Sequence, residues 1–199
     1  MIRDVLDHAA VYRLWQRPFA DRKLRPILQS NDMAAVRRVL DVGCGPGTNT
    51  AYFDAAEYVG IDNNEDYIQA ARRRHGREFI VADVTRYRVA DGERFDFILV
   101  NSLLHHLNDA EVRGLLSHLA ELLTQDGHVQ ILDLVLPDEP SLAQRMAQWD
   151  RGAYPRPLAR WRELFEEVFE AVTFEPYGLG AFGINLWAMI YFKGRLRTP

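Results

Sequence analysis

The segment VLDVGCGPGTNT, residues 39–50, limits the folds open to this chain more than any other part of the sequence. A short apolar run carries Asp41 near its end, and three glycines follow at alternate positions: Gly43, Gly45 and Gly47. Glycine lacks a Cβ atom, so the chain can turn sharply and its backbone amides can approach a ligand. The segment predicts a buried strand and a tight loop, followed by a helix over 48–57 whose free N–H groups suit an anion.

Strand-like and helix-like segments alternate along the rest of the chain. Apolar runs predict strands over 37–43, 58–62, 78–84, 94–102, 128–136, 171–178 and 186–195. Apolar spacing predicts helices over 64–76, 109–123 and 158–169, and the Asp-Gly pair at 126–127 predicts a turn. This alternation predicts an α/β fold: a Rossmann-like seven-stranded mostly parallel sheet with helices on both faces. Because no helix separates the last two strands, we expect an antiparallel last strand.

The chain has 199 residues, which suits a single domain with short additions. We expect a helical N-terminal cap over residues 1–35 and a cofactor-binding core over 36–136. The composition then changes to a stretch with several prolines and aromatic residues, which predicts a lid insertion over 137–160. Residues 161–199 supply a helix and a strand pair.

The composition is that of an ordinary globular protein, with 48% hydrophobic and 26% charged residues. No apolar run approaches the length of a membrane span, and the N-terminus is too charged for a signal peptide. The single cysteine excludes an internal disulfide, which fits a reducing compartment. We therefore expect a cytoplasmic protein with no membrane partner.

The charge is distributed unevenly along the chain. The net charge is −4 and the pI is about 5.9, whereas an enzyme of nucleic acids usually has a basic surface, so no nucleic-acid partner is expected. Residues 1–40 nevertheless carry eight Arg and Lys against four Asp, which leaves this segment at +4 and the remainder at −8. This excess indicates either a solvated amphipathic helix or a cap that helps to hold an anionic group.

Three acids close three successive predicted strands: Asp41, Asp62 and Asp83. In open α/β sheets, ligands bind beyond the carboxyl ends of the strands, and an acid at the position of Asp62 accepts both ribose hydroxyls of an adenosine. A carboxylate at Asp83 can accept a hydrogen bond from an adenine amino group, with the Val84 N–H facing a ring nitrogen. Any one of these acids could instead be an incidental helix cap. A dinucleotide site would need a third glycine where Thr48 stands.

These motifs together resemble the class I S-adenosylmethionine-dependent methyltransferases. The resemblance covers roughly residues 36–136, through VLDVGCGPGTNT, YVGIDNN, VADV, FDFILVNSLLHHL and LLTQDGHVQILD. It implies an enzyme that uses S-adenosylmethionine as cofactor and releases S-adenosylhomocysteine. The site residues that it implies are Asp41, Gly43, Cys44, Gly45 and Gly47 for the methionine end, Asp62 and Asn63 for the ribose, Asp83 and Val84 for the adenine, and Asn101 beside the methyl group. Cys44 is interpreted as a small filler of the loop and not as a nucleophile.

The segment NSLLHHL follows the fourth predicted strand and carries the candidate catalytic residues His105 and His106. In related enzymes of small molecules a similar motif borders the acceptor pocket, and imidazole titrates near neutrality, so either histidine could take a proton. Alternatively, one histidine begins a helix and the other is packed. Asn101 is not followed by Pro-Pro-Tyr, which argues against methylation of an exocyclic base amine or of glutamine. No acid-rich cluster accompanies the histidines, so no metal is expected.

Aromatic and arginine residues outside the core are candidates for the acceptor pocket. They are Tyr12, Trp15, Arg17, His106, Trp149, Tyr154 and Arg156. Aromatic side chains mixed with arginine suit a flat acceptor that carries an acidic group. The alternative is that the aromatic residues anchor the lid on the core and the arginines pair with nearby carboxylates.

The sequence therefore predicts methyl transfer to a small-molecule acceptor, with O-methylation favoured over N- or C-methylation. The transfer is an in-line displacement, in which the enzyme aligns the reactants and His105 or His106 could assist deprotonation. The alternatives are a methyltransferase of RNA or protein, an NAD-dependent oxidoreductase, and a non-catalytic cofactor-binding partner subunit. The expected state is a monomer or a homodimer. The sequence leaves the acceptor undefined.

Overall fold

The computed structural model describes residues 22–89, 92–149, 152–181 and 184–197. These residues form a seven-stranded sheet in the order β3-β2-β1-β4-β5-β7-β6. The strands are β1 (Arg38–Val42), β2 (Glu57–Asp62), β3 (Glu78–Val81), β4 (Phe95–Asn101), β5 (Leu123–Val135), β6 (Phe169–Ala181) and β7 (Ile184–Leu196). The strands from β3 to β5 pair in parallel, and β7 pairs antiparallel with both β5 and β6. The predicted α/β fold with an antiparallel last strand is confirmed.

Helices cover both faces of this sheet, as the sequence predicts. They are α1 (22–30), α2 (Glu65–Arg74), α3 (Asp109–Leu122), α4 (Leu142–Trp149) and α5 (Leu158–Glu166), with 3₁₀ turns at Thr50–Phe53 and Leu104–His106. Residues of α3 and α5 pack into one core and residues of α1 and α2 into the other. Asn108 begins α3 with a capping box that includes Glu111, and such a box satisfies N–H groups that have no partner within the helix.

The two cores arise from the alternation of side chains along each strand. In β1, Leu40 and Val42 point to the α3/α5 face, whereas Val39 points to the α1/α2 face. In β4, Ile98 and Leu99 divide between the two faces in the same way. This pattern puts Asp41 on the α1/α2 face in the middle of the sheet, where it is completely buried.

Three local predictions are wrong. The segment between β1 and β2 contains a single 3₁₀ turn, Thr50–Phe53, and not a helix over 48–57, because the chain must return to the sheet by Glu57. The Asp-Gly pair at 126–127 lies within β5 and not in a turn. The pairing shifts there from Phe95–Leu123 to Phe97–His128, so the register between β4 and β5 is irregular around this pair. Strand β3 ends at Val81, which leaves Asp83 and Val84 in the following loop.

The described part of the predicted N-terminal cap packs against the sheet. Leu24 and Ile27 of α1 are buried, and Arg22 donates a hydrogen bond to the carbonyl of Gly180 (2.7 Å). Residues 1–21 lie outside the described residues. Within the predicted lid, α4 packs against β7 through a small cluster that includes Ala147 and Met189. None of the helices in the described ranges is long and apolar enough to cross a membrane.

Replacement of Gly60 by alanine tests the packing of the sheet centre. A Cβ atom at Gly60 would lie 2.7 Å from Cδ1 of Phe79 and 2.9 Å from Sγ of Cys44, both of which are buried. We expect Gly60→Ala to lower the free energy of unfolding by about 1–3 kcal/mol, because a packed core accommodates an added methyl group poorly. The measurement is chemical denaturation monitored by circular dichroism.

Gly114→Ala is the matched control. Gly114 is an exposed residue of α3, and a Cβ atom there would meet nothing within 4 Å. Alanine is the better helix former by about 0.8–1 kcal/mol, so this variant should be as stable as the parent or more so. Equal effects of the two substitutions would contradict the packing described for Gly60.

Candidate active site

The glycine loop turns sharply at the carboxyl end of β1. Gly43, Gly45 and Gly47 have φ angles of 74°, 55° and 77°, in the left-handed region that glycine adopts most readily. A Cβ atom at Gly45 would meet nothing within 4 Å, so the loop borders open space there. A Cβ atom at Gly43 would lie 3.2 Å from Leu103, which shows how closely the loop approaches the segment after β4.

The backbone amides of the loop are directed inward. Gly43 and Cys44 donate to the carbonyl of Ile61 (2.8 and 3.0 Å), and Gly47 donates to the carbonyl of Cys44 (3.1 Å). Gly45 donates to Oδ2 of Asp62 (2.9 Å). The predicted helix after the loop is absent, and the amides of Gly43, Cys44, Gly45 and Gly47 are used within the protein. Binding of the methionine end by this loop stays a prediction.

Cys44 is buried within the loop. Burial raises the pKa of its thiol, and the nearby carboxylates of Asp41 and Asp62 raise it further. The thiol is therefore protonated at neutral pH and cannot act as a thiolate nucleophile.

A chain of buried polar side chains connects β2, β1, the loop and β4. Oδ2 of Asp41 accepts hydrogen bonds from the hydroxyl of Tyr58 (2.5 Å) and from Nδ2 of Asn49 (3.1 Å). Oδ1 of Asn49 in turn accepts from Nδ2 of Asn101 (3.3 Å). Oδ1 of Asp41 and Oδ1 of Asn101 are buried and have no hydrogen-bond partner among the described residues. Buried acceptors without partners are costly, so these two atoms require an explanation.

Burial raises the pKa of Asp41 to about 6. The hydrogen bonds from Tyr58 and Asn49 favour the ionised form and offset part of this effect, whereas the charge of Asp62 adds to it. Asp41 is therefore a carboxylate at neutral pH that is close to taking up a proton.

Asp62 lies at the carboxyl end of β2, partly exposed beside the loop. Its Oδ1 accepts from the backbone of Asn64 (2.8 Å) and its Oδ2 from Gly45, so its carboxylate has a fixed orientation. Each oxygen retains a further lone pair for a ligand hydroxyl. Asn63 is exposed next to it. The carbonyl of Asp62 accepts from Ala82 (3.0 Å), which brings the loop that carries Asp83 alongside.

Asp83 is exposed and stabilises its own turn. Its Oδ1 accepts from the backbone and the hydroxyl of Thr85 (2.9 and 2.7 Å), and these bonds lower the pKa of the carboxyl group. Asp83 thus has the kind of local capping role that a single acid at a strand end can have. Its other oxygen, Oδ2, lies 3.8 Å from Nε of Arg86. Val84 is buried behind the turn. An adenine contact of either residue stays a prediction.

The chain leaves β4 through a strained residue. Ser102 has a φ angle of 56°, and outside glycine such angles are uncommon and occur preferentially at functional sites. Its amide donates to the carbonyl of Leu132 (2.8 Å), which anchors the turn on β5. The 3₁₀ turn Leu104–His106 follows directly and carries both candidate catalytic histidines.

His105 forms a buried pair with Asp133 of β5. Its Nδ1 is 2.6 Å from Oδ1 of Asp133, and Asp133 is completely buried. Asp133 also accepts from the amides of Leu104 (2.8 Å) and Leu134 (2.7 Å). Burial alone would raise the pKa of Asp133, but His105 and the two amides outweigh it and hold the pKa below its ordinary value. Asp133 therefore remains ionised, which keeps a proton on Nδ1 of His105.

The segment after α4 closes over this pair. The amide of Tyr154 donates to the carbonyl of His105 (2.9 Å), and a Cβ atom at Gly152 would collide with the His105 ring. His106 is exposed, with its ring centroid 4.2 Å from that of His105. The structure thus joins the ends of β4 and β5 and the segment around 152–154 in one wall.

Arg156 was predicted to bind the acceptor, and the structure corrects this. The residue is buried: its Nε binds Asp109 (2.7 Å), and its other nitrogens donate to the carbonyls of Leu104 (3.2 Å), Leu107 (2.6 Å) and Tyr154 (3.0 Å). A guanidinium group used in this way fastens the segment to the turn after β4 and is not presented to a ligand.

The remaining predicted acceptor residues do not form a closed pocket in the described structure. Trp149 and Tyr154 are 76% and 44% exposed. Tyr12, Trp15 and Arg17 lie outside the described residues, so their predicted contact with an acceptor is not addressed by the structure.

Three residues of this site escape the sequence analysis: Asn49, Tyr58 and Asp133. Asp133 had a visible signal, since an acid within the apolar run VQILDLVL has to find a buried partner. Asn49 and Tyr58 carry no such signal, because their contact with Asp41 depends on the loop conformation and on the register between β1 and β2.

The opposite end of the sheet contains a cavity of about 330 Å³. It is lined mainly by polar residues near the amino ends of β1, β4 and β5, among them Asn31, Asp96, His128 and Lys193. Both oxygens of Asp96 are used by backbone amides, and Lys193 donates to the carbonyl of Ser30 (3.2 Å). The candidate site is assigned to the carboxyl edge instead, where the unpaired buried acceptors lie. No group of His, Cys, Asp or Glu in the described ranges could hold a metal ion.

Comparison with known proteins agrees with this geometry. Residues 39–127 match a family model described as a methyltransferase domain. The chain is 32% identical over 136 residues to a trans-aconitate 2-methyltransferase of Paracidovorax citrulli, a match that covers 63% of this chain and 50% of the relative. It is 30% identical over 169 residues to the enzyme of the same name from Escherichia coli O139:H28, which covers 77% of this chain and 64% of the relative. The chain therefore spans about half the length of the Paracidovorax relative.

A solved structure supports the fold. The N-methyltransferase NodS from Bradyrhizobium japonicum in complex with S-adenosyl-L-homocysteine has a TM-score of 0.68 at 18% identity, covering 92% of this chain and 87% of that chain. The strand order and the position of the site at the carboxyl edge define a Rossmann-like α/β domain. Residues 39–127 are similar to methyltransferase domains, which agrees with the class I S-adenosylmethionine-dependent methyltransferases that the sequence motifs resemble.

Replacement of Arg156 by lysine tests whether this residue stabilises the fold. Lysine cannot reach Asp109 and the carbonyls of three residues together, so buried acceptors lose their partners. We expect Arg156→Lys to lower the free energy of unfolding by about 1–3 kcal/mol. The control Arg73→Lys changes an exposed arginine of α2 and should leave stability within about 0.5 kcal/mol of the parent. Unchanged stability of Arg156→Lys would contradict the structural role.

Proposed function

We propose that the protein transfers a methyl group from S-adenosylmethionine to an oxygen of a small carboxylic acid. The observation that carries the proposal is the pair of unpaired buried acceptors, Oδ1 of Asp41 and Oδ1 of Asn101, at the edge of the sheet where the glycine loop borders open space. These atoms match the cationic amino-acid end of the cofactor, and Asp62 is oriented to accept its ribose hydroxyls. The residues present therefore fit the group.

When bound, S-adenosylmethionine supplies an electrophilic methyl group on a cationic sulfur. The residues of the chain have to bind the cofactor, orient the acceptor and exclude water. Asn101 stands at the end of β4, where the family places the reactive methyl group, and the strained Ser102 directs the following turn across the site. Alignment of this kind accounts for much of the rate enhancement that a displacement reaction needs.

The carboxylate acceptor is proposed from the relatives and from the chemistry of the wall. The first relatives carry the name trans-aconitate 2-methyltransferase, so a polycarboxylate is the substrate class to test first. A carboxylate is already ionised at neutral pH, so no residue has to remove a proton from it. In this reaction His105, held by Asp133, Gly152 and Tyr154, acts as a positioning residue of the acceptor wall. A general base, His105 or His106, is needed only if the acceptor is a hydroxyl group.

Cofactor binding is tested with Asp62→Ala. The variant removes a carboxylate that is proposed to accept two ribose hydroxyls, and hydrogen bonds to charged groups contribute about 1.5–3 kcal/mol each. We expect the affinity for S-adenosylhomocysteine to fall at least about tenfold by calorimetry. Asp66→Ala, which removes an exposed acid of α2, is the control and should bind like the parent. Binding of NAD in place of S-adenosylhomocysteine would overturn the proposal.

The acceptor chemistry is tested with His105→Asn. The amide of asparagine can retain the hydrogen bond to Asp133, but it lacks the second ring nitrogen that a general base would use. With trans-aconitate and smaller carboxylic acids as acceptors, we expect methyl ester products by mass spectrometry and a kcat within about tenfold of the parent. A loss of about 10²–10⁴-fold would mean that His105 does more than position the acceptor, and methylation of hydroxyl compounds without any ester product would overturn the carboxylate acceptor.

A further inference from the structure

We propose that Asn49 and Tyr58 are positioning residues that turn Asp41 and Asn101 into a receptor for the α-ammonium group of the cofactor. This inference rests on the proposed function and extends it to two residues that do not belong to the predicted site. Both act through Asp41: Tyr58 from β2 and Asn49 from the glycine loop bind the same oxygen, Oδ2. The other oxygen, Oδ1, is thereby left for a ligand.

The direction of the hydrogen bonds defines what the ligand must offer. An ionised carboxylate only accepts hydrogen bonds, so the group of Asn49 that faces Asp41 must be its NH₂. The oxygen of Asn49 then faces Asn101 and requires the NH₂ group of Asn101. The oxygen of Asn101 is consequently left as a second acceptor. The charge of Asp41 thus orients two amides in series, and both free atoms at the end of this chain are acceptors.

Two buried acceptors match a group that donates several hydrogen bonds and carries positive charge. An ammonium group has three N–H donors and no acceptor, whereas a carboxylate would face two like-polarity oxygens. Four amides of the glycine loop, those of Gly43, Cys44, Gly45 and Gly47, are used by Ile61, Cys44 and Asp62. The two buried acceptors therefore favour the ammonium over the carboxylate of an amino-acid moiety.

The ionisation of Asp41 adds a pH dependence. Its folded pKa, about 6, lies above the ordinary value of 3.8, so the folded protein without ligand holds the proton more tightly than the unfolded chain. This group therefore favours the folded state at low pH, and that contribution is lost as the pH rises from about 4 to about 6. A cation beside Oδ1 prefers the ionised form, so ligand affinity should instead fall as the pH drops below about 6.

Two other titratable groups that face Asp41 stay protonated in this range. The thiol of Cys44 and the hydroxyl of Tyr58 both have raised pKa values and stay protonated. Asp62 is the remaining charged neighbour, and its charge opposes the ionisation of Asp41. The β4 side contributes Asn101, which does not titrate.

The test compares two ligands that differ only by the amino-acid end. S-adenosylhomocysteine carries it, and 5′-methylthioadenosine lacks it while retaining the adenosine. Calorimetry is performed with the parent, with Asn49→Leu, which has a similar volume but no polar atoms, and with Tyr58→Phe. We expect Asn49→Leu to bind S-adenosylhomocysteine about 10- to 100-fold more weakly and methylthioadenosine within about twofold of the parent. Tyr87→Phe, a tyrosine outside the site, is the control for Tyr58→Phe.

The pH dependence of ligand affinity is a second measurement, and it would not change if Tyr58 only stabilised the fold. Between pH 7.5 and 4.5 the affinity of the parent for S-adenosylhomocysteine should fall by about tenfold per unit below a midpoint near 6. Its affinity for methylthioadenosine should stay flat. Tyr58→Phe removes a bond that favours ionised Asp41, so its midpoint should move to higher pH. Circular dichroism at each pH verifies that the variants are folded, and Tyr58→Phe serves if Asn49→Leu does not fold.

Each outcome decides the matter. Equal loss of both ligands in Asn49→Leu, or unchanged affinity for S-adenosylhomocysteine, would overturn the ammonium receptor while leaving the proposed function intact. If the parent binds neither ligand, the proposed function fails, and the ammonium receptor fails with it. A loss confined to S-adenosylhomocysteine, with the shifted pH midpoint in Tyr58→Phe, supports both.

Discussion

The burial of a carboxylate in the middle of the sheet is the constraint on which the site depends. Asp41 has no exposed surface, and its neutral donors, Tyr58 and Asn49, compensate for the lost hydration only in part. The free-energy cost of burying this charge raises the pKa of Asp41. Asp133 is equally buried, but its pKa is lowered because His105 and two amides face it. The fold thus contains two buried acids whose pKa values are shifted in opposite directions. Such divergence is typical of sites in which the two acids have different tasks.

The parallel sheet converts these two acids into one site. Asp41 lies in β1 and Asp133 in β5, with β4 between them. Asn101, at the end of β4, contacts Asn49 in the direction of Asp41, while the turn that follows it brings His105 to Asp133. The left-handed backbone of Ser102 lets Asn101 face Asp41 and His105 face Asp133, because the chain changes direction within one residue. This strained residue lies between the proposed cofactor side and the proposed acceptor side of the site.

The sequence predicts the strands and the acids at their ends because both follow from local rules. Apolar runs identify the strands, and parallel pairing brings Asp41, Asp62 and Asn101 to one edge. The orientation of individual groups depends on long-range contacts and is not accessible in this way. The donors of the glycine loop could be predicted, but not that Ile61 and Asp62 occupy them. Arg156 has the residue type of a ligand-binding group, and only the course of the chain around Leu104 and Leu107 shows that its guanidinium group is already used.

The revised role of Arg156 bears on how an acidic acceptor could react here. Its Nε binds Asp109, which Arg160 also binds, and its other nitrogens donate to backbone carbonyls, so the buried guanidinium group is not presented to a carboxylate. Under the proposed reaction, a carboxylate and a sulfonium lose their opposite charges as the methyl group is transferred. Such a neutralisation proceeds more easily as water is removed, because neither product has to be stabilised as an ion. The structure buries His105 against Asp133 but leaves Trp149 and Tyr154 exposed. Under the proposed reaction the acceptor itself therefore has to cover these side chains before water is removed from the site.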